Sequence, residues 1–94
     1  MEGPELCREF VKIPKMWLGT SSLPPGARGN IDMGHKNSAE IFYVCTGHVL
    51  LYDEKQYYEL FAGDAILIPE ELPHTLINIG EDQAVLVWAG APGE

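Results

Sequence analysis

The side chains best equipped for chemistry in this chain are three histidines, His35, His48 and His74, and the carboxylate of Glu40. Imidazole and carboxylate groups make a divalent-metal site when three or four of them converge, and β-strands allow this because every second residue faces the same side. His35 stands five residues before Glu40, and the intervening KNSA has the small, polar composition of a turn. If that turn joins antiparallel neighbours, His35 and Glu40 face one another across it. A carboxylate facing an interior without a partner costs several kcal/mol or takes up a proton, so Glu40 in such a place calls for a cation. His74 sits in the stretch GDAILIPEELPHTLIN, residues 63–78. Taken alone, it reads equally as a strand-opening residue whose ring bonds a nearby carbonyl. His48 directly follows Gly47 and reads as a surface residue at a strand end.

These groups are positioned by short apolar runs separated by turn signals. From residue 16 the runs MWLGTSSL, EIFYVC, HVLLY, YYELF, AILI, HTLIN and AVLVWA are broken by PPGARGN, TG, DEKQ, AGD, PEELP and IGEDQ. Seven closely spaced strands indicate an all-β sandwich or barrel, expected as a meander of hairpins that closes on itself. Alternation puts His48, Leu50 and Tyr52 on one strand face, and groups His74 with Leu76 and Asn78 on another. Pro69 and Pro73 clamp the turn that delivers His74, since proline fixes φ and withdraws an N–H donor. In residues 1–13, Leu6, Phe10 and Ile13 have helical spacing, but Pro4 and Pro14 bracket too little chain for a stable helix. That stretch is read as a short N-terminal arm, and residues 14–94 as one domain.

Ninety-four residues suffice for one modest core, and 46% hydrophobic with 21% charged residues is globular composition. Fourteen acidic against six basic residues give a net charge of −8, which opposes binding to nucleic acid or an anionic membrane. A small molecule or a protein is the expected partner. The start MEGPELCREF lacks the basic and apolar regions of a signal peptide, and no segment reaches the roughly 18 apolar residues of a membrane span. A cytoplasmic protein is expected, with Cys7 and Cys45 as free thiols.

Two motifs resemble those of the cupins, a family of small β-barrels. In the second, Gly63, Pro69, His74 and Asn78 stand at the family's spacings, with Glu71 where the family has a glycine. In the first, Glu40 followed by six intervening residues and Gly47 matches the family's second half. Counting back, His35 fits the second histidine of a His-x-His pair and Met33 occupies the place of the first. In an alternative register His35 is the first histidine and Asn37 the second, at the cost of a short gap to Glu40. LPPGA (23–27) and AGDAILIP (62–69) extend the likeness over residues 16–90.

The resemblance implies a small antiparallel jelly roll whose interior holds a divalent metal ion on His35, Glu40 and His74, with Fe, Mn, Zn, Ni or Cu all compatible with those donors. Met33, Asn37, Leu76, Asn78 and Arg28 are further pocket candidates, Met33 either as an apolar wall or as a soft ligand favouring copper. It also implies a small oxygen-rich metabolite as ligand, a metal-dependent isomerase, lyase or dioxygenase as the enzymatic outcomes, and a homodimer. The alternative is a non-catalytic binding or sensing module with weak or no metal. Glutamate at position 71 costs about 1–2 kcal/mol if the turn needs positive φ there.

Overall fold

A computed structural model of the chain describes residues 5–93. Eight strands form two antiparallel sheets: β1 (Leu6–Ile13), β2 (Met16–Leu23), β3 (Ala39–Thr46), β4 (His48–Tyr52), β5 (Tyr57–Phe61), β6 (Ala65–Ile68), β7 (Thr75–Asn78) and β8 (Ala84–Ala91). One sheet runs β1-β2-β8-β3-β6 and the other β5-β4-β7. There is no helix among the described residues. The all-β jelly roll is thus as the sequence leads one to expect, but its connectivity is not a meander. Only β1/β2 and β4/β5 are hydrogen-bonded neighbours in both chain and sheet. β2 and β3 share the larger sheet with β8 between them, and the remaining connections cross between sheets, as at Gly47, where β3 ends in one sheet and β4 begins in the other.

Leu6–Ile13, within the stretch set apart above as an arm, pairs along its length with β2 as an edge strand of the larger sheet; residues 1–4 lie outside those described. A bulge between Glu9 and Val11 explains the misleading spacing. The extra residue converts the alternation of a strand into a run that looks helical, so Leu6, Phe10 and Ile13 are all exposed. The DEKQ turn joins β4 to β5 as expected. The Asp53 Oδ1 accepts from the backbone N–H of Lys55 and Gln56, both at 2.9 Å. Those donors, that of Gln56 foremost, hold its carboxyl below the usual range.

The register of the larger sheet sets the interior. Lys12, Trp17, Gly90 and Glu40 form one row across β1, β2, β8 and β3. Glu9, Gly19, Trp88 and Phe42 form the next, and Cys7, Ser21, Leu86 and Val44 the third. Apolar side chains therefore collect toward one end. There Leu23, Val44, Ala84 and Leu86 meet Val49 and Leu51 of the smaller sheet, all fully buried. Polar and aromatic side chains collect toward the other end, which stays open as a cup. The glycines in the first two rows are there for their lack of a side chain. A methyl group at Gly90 would overlap the Trp17 indole, and one at Gly19 the Trp88 indole. Each indole thus lies across a strand on bare backbone.

Candidate metal centre

Four side chains from separate parts of the chain meet in the cup. Glu40 comes from the inner face of β3 and is 4% exposed; His74, 2% exposed, precedes β7. Asp32 and His74 lie opposite each other in an isolated antiparallel bridge, each donating its backbone N–H to the other's carbonyl at 2.8 Å. The bridge puts the two side chains on one face. His35 reaches the same place from the loop before β3, its ring against that of Trp17 with 4.4 Å between centroids.

The donor atoms converge. His74 Nε2 lies 3.5 Å from Glu40 Oε1 and 3.6 Å from Asp32 Oδ2, and His35 Nε2 lies 4.0 Å from Glu40 Oε1. One donor atom each from Asp32, His35 and Glu40 falls within 4.8 Å of the others. Atoms bound to one ion at about 2.0–2.2 Å stand roughly 3–4 Å apart, so these separations suit a shared cation. Second contacts orient the donors. His74 Nδ1 is 2.8 Å from the Leu72 carbonyl oxygen, which can only accept, so Nδ1 carries a proton and, in the neutral ring, Nε2 offers its lone pair. Asp32 Oδ1 accepts from the Gly34 N–H at 2.9 Å, leaving Oδ2 toward His74. Glu40 Oε1 and His74 Nε2 are buried with no hydrogen-bond partner among the described residues. Buried polar atoms are rarely left so, and a cation between them satisfies both.

Burial opposes protonation of His74, but the nearby Glu40 carboxylate, the Leu72 carbonyl and the charge on Asp32 outweigh it and raise its pKa above the ordinary histidine value. The Cys7 thiol is pushed up by burial, with added pressure from the Glu5 and Asp32 carboxylates against a hydrogen bond from Ser21. It is a thiol at neutral pH rather than a thiolate nucleophile or ligand.

Of the residues singled out from sequence, the structure brings His35, Glu40 and His74 together, with Leu76 on the wall and Met33 at the mouth of the same cavity. Met33 is 69% exposed, and the donor beside the histidines is its neighbour Asp32. Sequence reasoning missed Asp32 because a carboxylate was not sought in the place of the first histidine. Its position three residues before His35 was the available signal. Asn78, Arg28 and Asn37 are not among the residues lining the cavity. Asn78 is instead a structural clip: its Nδ2 donates to the carbonyls of Leu23 and Asp82 at 3.0 and 2.9 Å, and its Oδ1 accepts from the Gly80 N–H. Arg28 lies over the Tyr52 ring, with its guanidinium carbon 5.9 Å from the centroid, and Asn37 is exposed in the loop before β3. His48 is bonded to Glu59 at 2.7 Å and stacked on Phe61, away from the cavity.

The turn before His74 has the conformation that its glutamate makes costly. Glu71 has φ of 63°, and its N–H donates to the His35 carbonyl at 2.8 Å, tying the His74 turn to the His35 loop. Gly34 lies under this turn with φ of 87°, where a methyl group would stand 2.8 Å from the Leu72 nitrogen. Glycine at position 71 relieves the left-handed strain while keeping the N–H. Glu71→Gly is therefore expected to raise stability by about 1 kcal/mol, measured as the urea midpoint at unchanged slope; an equal or lower midpoint would show that the glutamate is not strained.

Two antiparallel sheets closed over a cup, with imidazole and carboxylate donors converging inside it, define a jelly-roll domain with a candidate metal site. A family model described as "Cupin domain" matches residues 19–90, and the chain belongs to that family. It is 33% identical over 66 residues to an uncharacterized protein of Methanocaldococcus jannaschii, covering 70% of this chain. The match spans 52% of that relative, so the chain accounts for about half its length. Among solved structures, it is similar to a conserved protein with a double-stranded β-helix domain from Klebsiella pneumoniae (TM-score 0.89, 18% identity, 96% of this chain and 78% of that one). It is also similar to the cupin domain of Schizosaccharomyces pombe Cnp3 (TM-score 0.85, 17% identity, 94% and 64%). At these identities the likeness concerns the fold.

Proposed function

We propose that Asp32, His35, Glu40 and His74 hold one divalent cation, and that the cup above it, about 440 Å³ in volume, takes a small oxygen-rich metabolite. The observation that carries this reading is the pair of buried, unpartnered donor atoms, Glu40 Oε1 and His74 Nε2, facing each other at 3.5 Å. Two imidazoles and two carboxylates suit Fe, Mn, Ni, Zn or Cu, and the exposure of Met33 gives no support to a soft thioether ligand, the one feature that favoured copper over the others. A bound cation would supply polarisation of a carbonyl or hydroxyl oxygen, which isomerases and lyases use, and iron would supply the O₂ chemistry of a dioxygenase. The chain's own residues set the rest. Glu5 is committed to Ser21, whose hydroxyl donates to Oε2 at 2.6 Å, and to the Asn30 N–H at 3.3 Å. Cys7 keeps its proton. Glu9 and Lys12, on the inner face of β1, are the cavity-lining groups left to move a proton to or from a bound molecule.

A pair of substitutions decides between Asp32 and Met33 as the fourth donor. Asp32→Ala is expected to lower affinity for Mn²⁺ or Zn²⁺ in calorimetric titration by about 10–100-fold, whereas Met33→Leu leaves it within about twofold. The reverse ranking would return Met33 to the site and remove Asp32.

We further propose that two copies pair through the outer face of the larger sheet. Met16, Ile41 and Leu67 are exposed there around Ala89 and Ala91 in a groove that is almost wholly apolar, and water-exposed apolar area of that kind favours association. Sedimentation equilibrium is expected to give a dimer that Ile41→Lys with Leu67→Lys converts to monomer; a monomeric starting protein would refute the pairing.

A further inference from the structure

The cavity walls carry information about the ligand that the donor cluster does not. Trp17 is already covered, since one side of its ring lies over Gly90 and His35 packs against it. Phe42 is buried, with its ring edge-on to His74 at 5.4 Å. Trp88 differs. It lies across Gly19, its indole N–H is held by the Ser21 hydroxyl at 2.9 Å, and it is only partly buried, with surface left toward the cavity. Ser21 in turn is held by Glu5, so the indole is fixed in one orientation. A pinned, partly open indole beside a metal cluster is a stacking surface.

The charge of the lining points the same way. Four carboxylates line the cavity, Glu5, Glu9, Asp32 and Glu40, against one ammonium, Lys12. A dication between Asp32 and Glu40 cancels two of the four and leaves acid in excess of base. Among the described residues the lining contains no arginine and no second lysine to receive a phosphate or a dicarboxylate, and an anion entering such a cavity meets net repulsion.

We propose that the cup takes a flat, uncharged, conjugated molecule that lies on Trp88 and presents an adjacent pair of oxygen atoms to the Asp32, His35, Glu40 and His74 cluster. The oxygen contacts rest on the metal-centre reading; the stacking and the charge selection rest on the walls. The plane of the ligand stacks on the indole, its neutrality avoids Glu5 and Glu9, and the confined cavity limits it to one or two rings.

Three probes separate these features in the Zn²⁺-loaded full chain, followed by tryptophan fluorescence and titration calorimetry, with metal content measured on each sample. Maltol is a neutral planar hydroxyketone, hydroxyacetone carries the same oxygen pair without the plane, and glucose 6-phosphate is anionic. Maltol is expected to quench tryptophan emission and to bind at least tenfold more tightly than either of the others. Trp88→Leu is expected to weaken maltol at least tenfold at unchanged metal content and unchanged hydroxyacetone affinity, and Trp88→Phe to restore most of the loss. Equal affinities for the three probes, or tighter binding of glucose 6-phosphate, would overturn the proposal, and that comparison needs only the unsubstituted protein. Should the chain retain no metal, the metal centre fails by itself. Maltol quenching that persists in that protein and depends on Trp88 would still support the stacking surface, and its absence would overturn it.

Discussion

Replacing His74 by alanine lowers the affinity of the metal-free protein for Zn²⁺ or Mn²⁺ by more than about 100-fold, beyond the 10–100-fold that loss of a supporting contact costs. The size of the effect follows from the placement of the ring. His74 is the most buried of the four donors, lies within 3.6 Å of carboxylate oxygens on both Glu40 and Asp32, and has its lone pair aimed by the Leu72 carbonyl. Calorimetric titration of both proteins, with circular dichroism to verify the fold, provides the comparison. The same group sets the pH dependence. Its pKa is raised in the folded, metal-free chain, so the proton stabilises that state most fully below the unfolded histidine value of about 6.5, and the contribution is lost as pH rises through the folded value. Metal competes with that proton, so affinity rises with pH over the interval in which the metal-free fold loses the proton's support. Equal affinity from pH 5 to 8, or an alanine variant that binds as the parent does, would remove His74 from the site.

Stripping the metal should lower the melting temperature by roughly 10–20 °C. An ion present at 100 times its dissociation constant stabilises a fold by about 2.7 kcal/mol, and each kcal/mol shifts a domain of this size by about 4–8 °C. The effect is large at a pH where His74 has given up its proton, because without a cation Glu40 Oε1 and His74 Nε2 are then left buried and unpaired. Scanning calorimetry before and after chelation, then after readdition of Zn²⁺, reads the change. A shift under about 2 °C would mean that the cluster is satisfied without metal.

How far the sequence reveals this molecule differs between elements. The runs from β2 to β8 could be read from alternation and turn residues because each strand buries one face. β1 could not, since its bulge replaces the two-residue period with one that imitates a helix. Alternation also says which face a residue occupies but not which sheet receives the strand, so a meander was expected where the chain crosses between sheets. In the site, His35, Glu40 and His74 came from the resemblance to the cupin motifs, whose spacings they largely match. Asp32 did not, because its partnership with His74 is a two-residue bridge between distant loops with no periodic pattern. The place of Trp17 and Trp88 in the cup depends on Gly90 and Gly19 lying beside them across β2 and β8, a register that local sequence does not encode. Glu71 was legible as a cost, and the structure shows it in the left-handed conformation, with its N–H bonded to the loop that carries His35.

The central claim is that the four side chains hold one cation. Elemental analysis of the chain purified without a histidine tag tests it most directly, carried out beside His35→Ala and His74→Ala. The account predicts close to one equivalent of a divalent metal per chain, lost in both variants; substoichiometric metal that neither substitution changes would contradict it.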